Sequence, residues 1–135
     1  MKNLEFRHSR QASEEDIEAL ERHFGSLPEK YIEILREHDG AYCNAGYAKE
    51  FTPRSMTFPP RIERFILSSE IIETASNIEG FPEQHLPFAD DGGGGFSCYF
   101  SENKKIYYFD PDWAELHMIA EDFDMWSELL LPLET

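Results

Sequence analysis

Residues 86–110 read LPFADDGGGGFSCYFSENKKIYYFD, and this stretch decides the fold. Leu86-Pro87-Phe88-Ala89 is a short apolar run that ends at Asp90-Asp91 and the glycines Gly92 to Gly95. Phe96 to Phe100 then alternates Phe96, Cys98 and Phe100 with Ser97 and Tyr99, and Lys105 to Phe109 is equally rich in strand-forming residues. Ser101-Glu102-Asn103-Lys104 joins the two segments, so they read as a β-hairpin. A phosphate cradle needs a Lys and a Ser or Thr on a following helix. Here a strand follows and two acids precede, so the glycines read as a flexible turn or bulge between strands.

Outward from this hairpin the pattern turns helical on both sides. Ser13 is placed to cap a helix whose first turn, Glu14-Glu15-Asp16, suits the positive end of the helix dipole. Ile17, Leu20 and Phe24 follow as one apolar stripe, and Gly25 ends the segment, which predicts a helix over Ser13 to Phe24. Leu27-Pro28 starts a second helix with Tyr31, Ile32, Ile34 and Leu35 as its apolar positions, and Asp39-Gly40 closes it. Tyr42 to Pro60, interrupted by Pro53, Pro59 and Pro60, reads as an irregular excursion or an imperfect strand pair. Arg61 to Leu67 reads as a strand, and Ser68-Ser69-Glu70 opens a short helix bearing Ile71, Ile72 and Ala75. Ile119, Phe123, Trp126 and Leu130 lie on one helical face, with Pro132 as the stop. Helices and a largely antiparallel sheet in this order predict an α+β fold in one domain, residues 1–135. The expected core is Ile17, Leu20, Phe24, Tyr31, Leu35, Phe123, Trp126 and Leu130.

The chain has 135 residues, of which 41% are hydrophobic, a composition that folds. Its net charge is −15, which argues against nucleic acid or an anionic membrane as a partner. The charge is unevenly placed. Residues 1–64 carry 10 basic and 12 acidic side chains, whereas residues 65–135 carry 2 basic and 15 acidic ones. From Ile106 onward there is no Lys or Arg, while Asp110, Asp112, Glu115, Glu121, Asp122, Asp124, Glu128 and Glu134 accumulate. Such a pole is either a solvated face or a surface for a basic partner. Neither a signal sequence nor a membrane-length apolar run is apparent, and Cys43 and Cys98 have no neighbouring Cys. Both thiols are therefore expected to be reduced, unpaired and unliganded in a cytoplasmic protein.

Catalytic patterns are lacking. His8, His23, His38, His85 and His117 form no metal-binding i, i+4 pair, and no Gly-x-Ser-x-Gly turn offers a nucleophile. Cys43 follows His38 by five positions, an interval that by itself makes no catalytic dyad. Asp90, Asp91, Asp110 and Asp112 end strands and allow two readings: oxygen ligands of a metal-dependent hydrolase, or ordinary turn residues. Trp113, among Asp110, Asp112 and Glu115, likewise reads either as a lid on the sheet or as an exposed anchor with an acidic rim.

Four stretches resemble the SUKH superfamily, the domain of yeast Smi/Knr cell-wall regulators and of bacterial immunity proteins. They are the helix ending at Phe24-Gly25, Leu27-Pro28-Glu29-Lys30-Tyr31-Ile32-Glu33-Ile34-Leu35 with His38-Asp39-Gly40-Ala41, Leu86 to Gly94, and Ile119 to Trp126, in which Asp122 stands where serine is frequent. The resemblance implies an α+β domain with no catalytic residues and no cofactor, which binds another protein. In bacteria that partner is typically a toxin, often a nuclease. A basic toxin would suit the acidic carboxyl half, with Asp110, Asp112, Trp113 and Glu115 as the expected contacts. A regulatory or scaffold domain without a toxin is the alternative within binding proteins.

Overall fold

The computed structural model describes residues 4–54 and 56–133. Helix α1 spans Glu14–Phe24 and α2 spans Glu29–His38. Ser13 accepts the amide of Asp16 and so satisfies one of the unpaired N–H groups of the first turn. Pro28 stands immediately before α2, as its N-cap. Gly40 adopts φ +71°, and a Cβ at that position would lie 2.6 Å from Leu67 Cδ2, so both conformation and space demand glycine there. The turn brings Asp39 beside a 3₁₀ turn at Ser68–Glu70, where its buried carboxylate accepts Ser68 N–H at 2.8 Å and Ser68 Oγ–H at 2.7 Å.

The sheet contains β1 (Tyr42–Gly46), β2 (Arg61–Phe65), β3 (His85–Asp90), β4 (Phe96–Phe100), β5 (Ile106–Asp110), β6 (Glu115–Ala120) and β7 (Leu131–Pro132). Their order is β6-β5-β4-β3-β2-β1-β7, and every pairing is antiparallel. Six strands thus run as a meander, and the carboxyl-terminal β7 adds to its first strand. The 3₁₀ turn at Ser68–Glu70 leads into α3 (Ile71–Asn77), which packs on β3, and α4 (Phe123–Leu129) packs against α2 and β6. This is an α+β fold.

Two sequence readings are corrected. Ile119 belongs to β6 rather than to the last helix, which begins at Phe123. Asp122 caps α4 through Oδ1, 2.7 Å from Met125 N, so the acid precedes the helix and satisfies an amide of its first turn. The Tyr42 to Pro60 segment holds one strand, β1, and a 3₁₀ turn at Lys49–Phe51 in place of a strand pair.

All eight expected core side chains are buried. Burial of residues this large stabilises by ~1.5–3 kcal/mol each. Trp126 is the hub of the aromatic core: its ring meets Phe88 edge-on at 4.8 Å and also contacts Phe65 and Phe123. Its indole N–H donates to Tyr47 Oη, which lies 2.7 Å from Ser97 Oγ. That buried series of hydrogen bonds joins α4, the end of β1 and β4.

Candidate functional site

The acidic end of the sheet is built from two neighbouring turns, one leaving β3 and one leaving β5. In the first, Asp91 is the centre of the glycine run. Its Oδ1 accepts the amides of Gly93 at 2.7 Å and Gly95 at 3.0 Å, and its Oδ2 accepts Tyr108 Oη–H at 2.7 Å. A Cβ on Gly95 would collide with Tyr108 Oη and Asp91 Oδ2, so this glycine lets the backbone close around the carboxylate. Asp90 accepts Gly92 N–H and pairs with Arg64, Oδ2 to Nε at 2.8 Å. The anion that these amides cradle is the protein's own side chain.

The second turn, residues 111–114, closes the β5–β6 hairpin where Asp110 pairs with Glu115. Asp110 Oδ1 accepts the amide of Asp112 at 3.0 Å, and Ala114 takes φ +50° to complete the reversal. The Asp110 side chain is buried, which corrects its expected surface position: its carboxylate shapes the turn. Asp112, Trp113 and Glu115 are exposed, Trp113 to 65%, so the indole is not a lid on the sheet. The lid on this part of the sheet is Phe81, whose ring meets Phe109 at 5.2 Å and Phe96 at 6.5 Å, both edge-on. Pro111 lies beside the glycine turn, its Cγ 3.7 Å from where a Cβ of Gly94 would be.

The carboxylates of the two turns act jointly on Tyr108. Burial raises its phenol well above the ordinary value, and the hydrogen bond to Asp91 and the negative charges of Asp91, Asp110 and Asp112 raise it further. Tyr108 therefore stays a neutral donor to Asp91. Among the described residues, no group of three or more His, Cys, Asp or Glu side chains is arranged to hold a metal ion. Asp90 and Asp91 are committed to Arg64, backbone amides and Tyr108, and Asp110 to its own turn, which is the turn-residue reading of these strand ends.

Burial pushes both thiols up, Cys43 to about 12, so neither is a thiolate nucleophile at neutral pH. Both are free and buried. No helix among the described residues is long and apolar enough to cross a membrane. Glu134 lies outside the described residues.

Sequence reasoning missed that the acidic hairpin ends in an edge strand. Met118, half exposed on β6, and the 4.0 Å pair between Lys105 and Glu121 belong to this same margin. The run Leu116-His117-Met118-Ile119-Ala120 was the available signal, concealed by the helical spacing of Ile119 and Phe123.

Opposite in character is a concavity of about 440 Å³ between the starts of α2 and α4, lined among others by Lys30, Lys104, Glu33, Asp122 and Asp124. Glu29 also lines it, so four acids face two lysines and the lining mixes both signs with an acidic excess. A search of the curated proteins finds no match to the chain. The description SMI1 / KNR4 family (SUKH-1) matches residues 11–128, a span that runs from just before α1 to the last turn of α4 and contains both acidic turns. This chain belongs to the SMI1 / KNR4 family (SUKH-1).

Proposed function

We propose that the chain is a non-catalytic protein-binding domain, residues 1–135, that neutralises a cognate basic protein toxin in the bacterial cytoplasm, as an immunity protein does. Membership of the SUKH group supports the general class, because its domains bind protein partners. The observation that carries the specific reading is Trp113, exposed to 65% between Asp112 and Glu115 at the tip of a braced hairpin. An indole left in water performs no packing for the fold, and beside carboxylates it offers an apolar anchor inside an electrostatic rim. Asp110 supports this tip from beneath. A basic surface such as that of a nuclease is the complementary shape of charge, since opposite fields speed encounter and penalise other partners.

Co-expression with any toxin domain encoded beside its gene, followed by binding kinetics, tests the proposal. Reversing Asp112 and Glu115 to Lys slows association about tenfold at low salt and flattens its salt dependence. Trp113→Ala acts on dissociation, by roughly thirtyfold if the indole is a central anchor worth about 2 kcal/mol. A toxin that is neutralised equally well by these variants overturns the hairpin as the contact, and a neighbouring toxin that is never bound overturns the immunity role in favour of a regulatory scaffold.

A further inference from the structure

The two margins of the sheet are protected very differently. On one side, β1 is covered by β7, whose Pro132 has no N–H to offer, and Leu133 N–H closes onto Asn44 O. On the other side β6 is outermost, and among the described residues its backbone hydrogen bonds run to β5 alone. Residues 115–118 pair with β5 in regular register, and the irregularity falls only beyond Met118. An edge of this length presents a row of unpaired donors and acceptors, and soluble proteins usually blunt it with lysine, proline or a covering element. The β6 sequence, ELHMIA, contains neither Lys nor Pro.

What this edge carries is negative charge. Glu115 lies on it, Asp112 precedes it, and Glu121 and Asp122 follow it, all exposed. Pairing with a second copy of the same edge would place these acids against each other in a chain of net charge −15. A cationic strand would gain from the same charges.

We propose that β6 receives an extended Lys- or Arg-bearing segment of the protein partner, which adds to the sheet as a further strand beside the Trp113 tip. Main-chain hydrogen bonds then supply affinity, while the acids and half-exposed Met118 select the side chains. This inference rests on the protein-binding reading above and adds the mode of contact.

The test uses the full chain and a blocked heptapeptide alternating lysine and valine, with two controls: the same peptide with a central proline and the glutamate–valine counterpart. Amide exchange at residues 115–120 is expected to slow about tenfold on adding the lysine peptide at low salt, with each control binding at least about tenfold more weakly. Met118→Lys places a positive charge on an already half-exposed site; it should abolish this protection while thermal stability is retained. Equal binding of the proline peptide reduces the contact to plain charge attraction and overturns the proposal, as does protection at any other strand or none at all. A neutralised toxin that leaves exchange at 115–120 unchanged sinks the edge contact alone, whereas a docked peptide with no neutralised toxin sinks the immunity role alone.

Discussion

The turns at 90–95 and 110–115 are both acidic, both leave a strand, and lie side by side at Gly94 and Pro111, yet they spend their charge in opposite ways. Around Asp91 the chain supplies two glycine amides and a tyrosine hydroxyl, and around Asp90 a third amide and Arg64. In the other turn only Asp110 is drawn inward, and Asp112 and Glu115 remain in water with Trp113. Glycine contributes to the difference at Gly95, where a Cβ would collide with Asp91 Oδ2 and Tyr108 Oη and keep the turn from closing around the carboxylate. Acidic composition alone therefore cannot tell a braced loop from one whose carboxylates stay in water; the count of donors around each carboxylate can.

The largest effect expected from breaking this contrast is at Asp91. Asp91→Ala strands Tyr108 Oη and two amides, at a cost of about 2–3 kcal/mol in urea unfolding, since a lost charged acceptor leaves its donors unpaired. An intact midpoint would mean that water replaces the carboxylate and that the two turns are more alike than their bonding indicates.

A smaller, pH-dependent effect is expected at Asp39, a third carboxylate enclosed like Asp91 but without glycine amides. Burial raises its pKa above the ordinary 3.8, with the two Ser68 bonds opposing and Asp16 adding to the rise. A folded-state value above the unfolded one means that its contribution is full below the unfolded value and is lost as pH rises through the folded one. Asp39→Asn keeps an acceptor for Ser68 N–H and a donor for Ser68 Oγ. Its stability should thus differ from the parent's by ~1 kcal/mol or less, and the difference should move in the variant's favour between about pH 4 and pH 7. A difference that moves the other way would show the carboxylate to be stabilised by its surroundings.

The smallest effect on the fold is expected at Trp113. Its truncation to alanine should change unfolding by less than about 0.5 kcal/mol, as for surface positions generally, while altering partner dissociation. A larger loss of thermal stability would make the indole part of the fold and remove it from the contact surface.

The helices and the central hairpin were legible because Ile17, Leu20, Phe24 and the alternation of Phe96 to Phe100 follow one period without interruption. β6 was not. The shift of register near its end buries both Ile119 and Ala120, which erases the alternation, and Ile119 falls by chance four positions before Phe123. β1 was concealed by Asn44, whose φ of +42° breaks the strand's regular geometry. At the acidic tip, the exposure of Trp113 was one of two readings open to the sequence, and the burial of Asp110 was not readable, since an Asp before Pro signals a turn but not its inner side. The Trp126-Tyr47-Ser97 chain joins residues 79 and 50 positions apart and has no local signature.

The same two tryptophans also give the protein a pair of optical reporters that need no label. Trp126, wholly buried with its N–H bonded, emits from an apolar setting and is out of reach of dissolved quenchers; Trp113 emits from water. Because carboxylates surround Trp113, caesium gathers about it and iodide is held off. Folding is thus recorded by one indole and events at the acidic tip by the other, in a single spectrum.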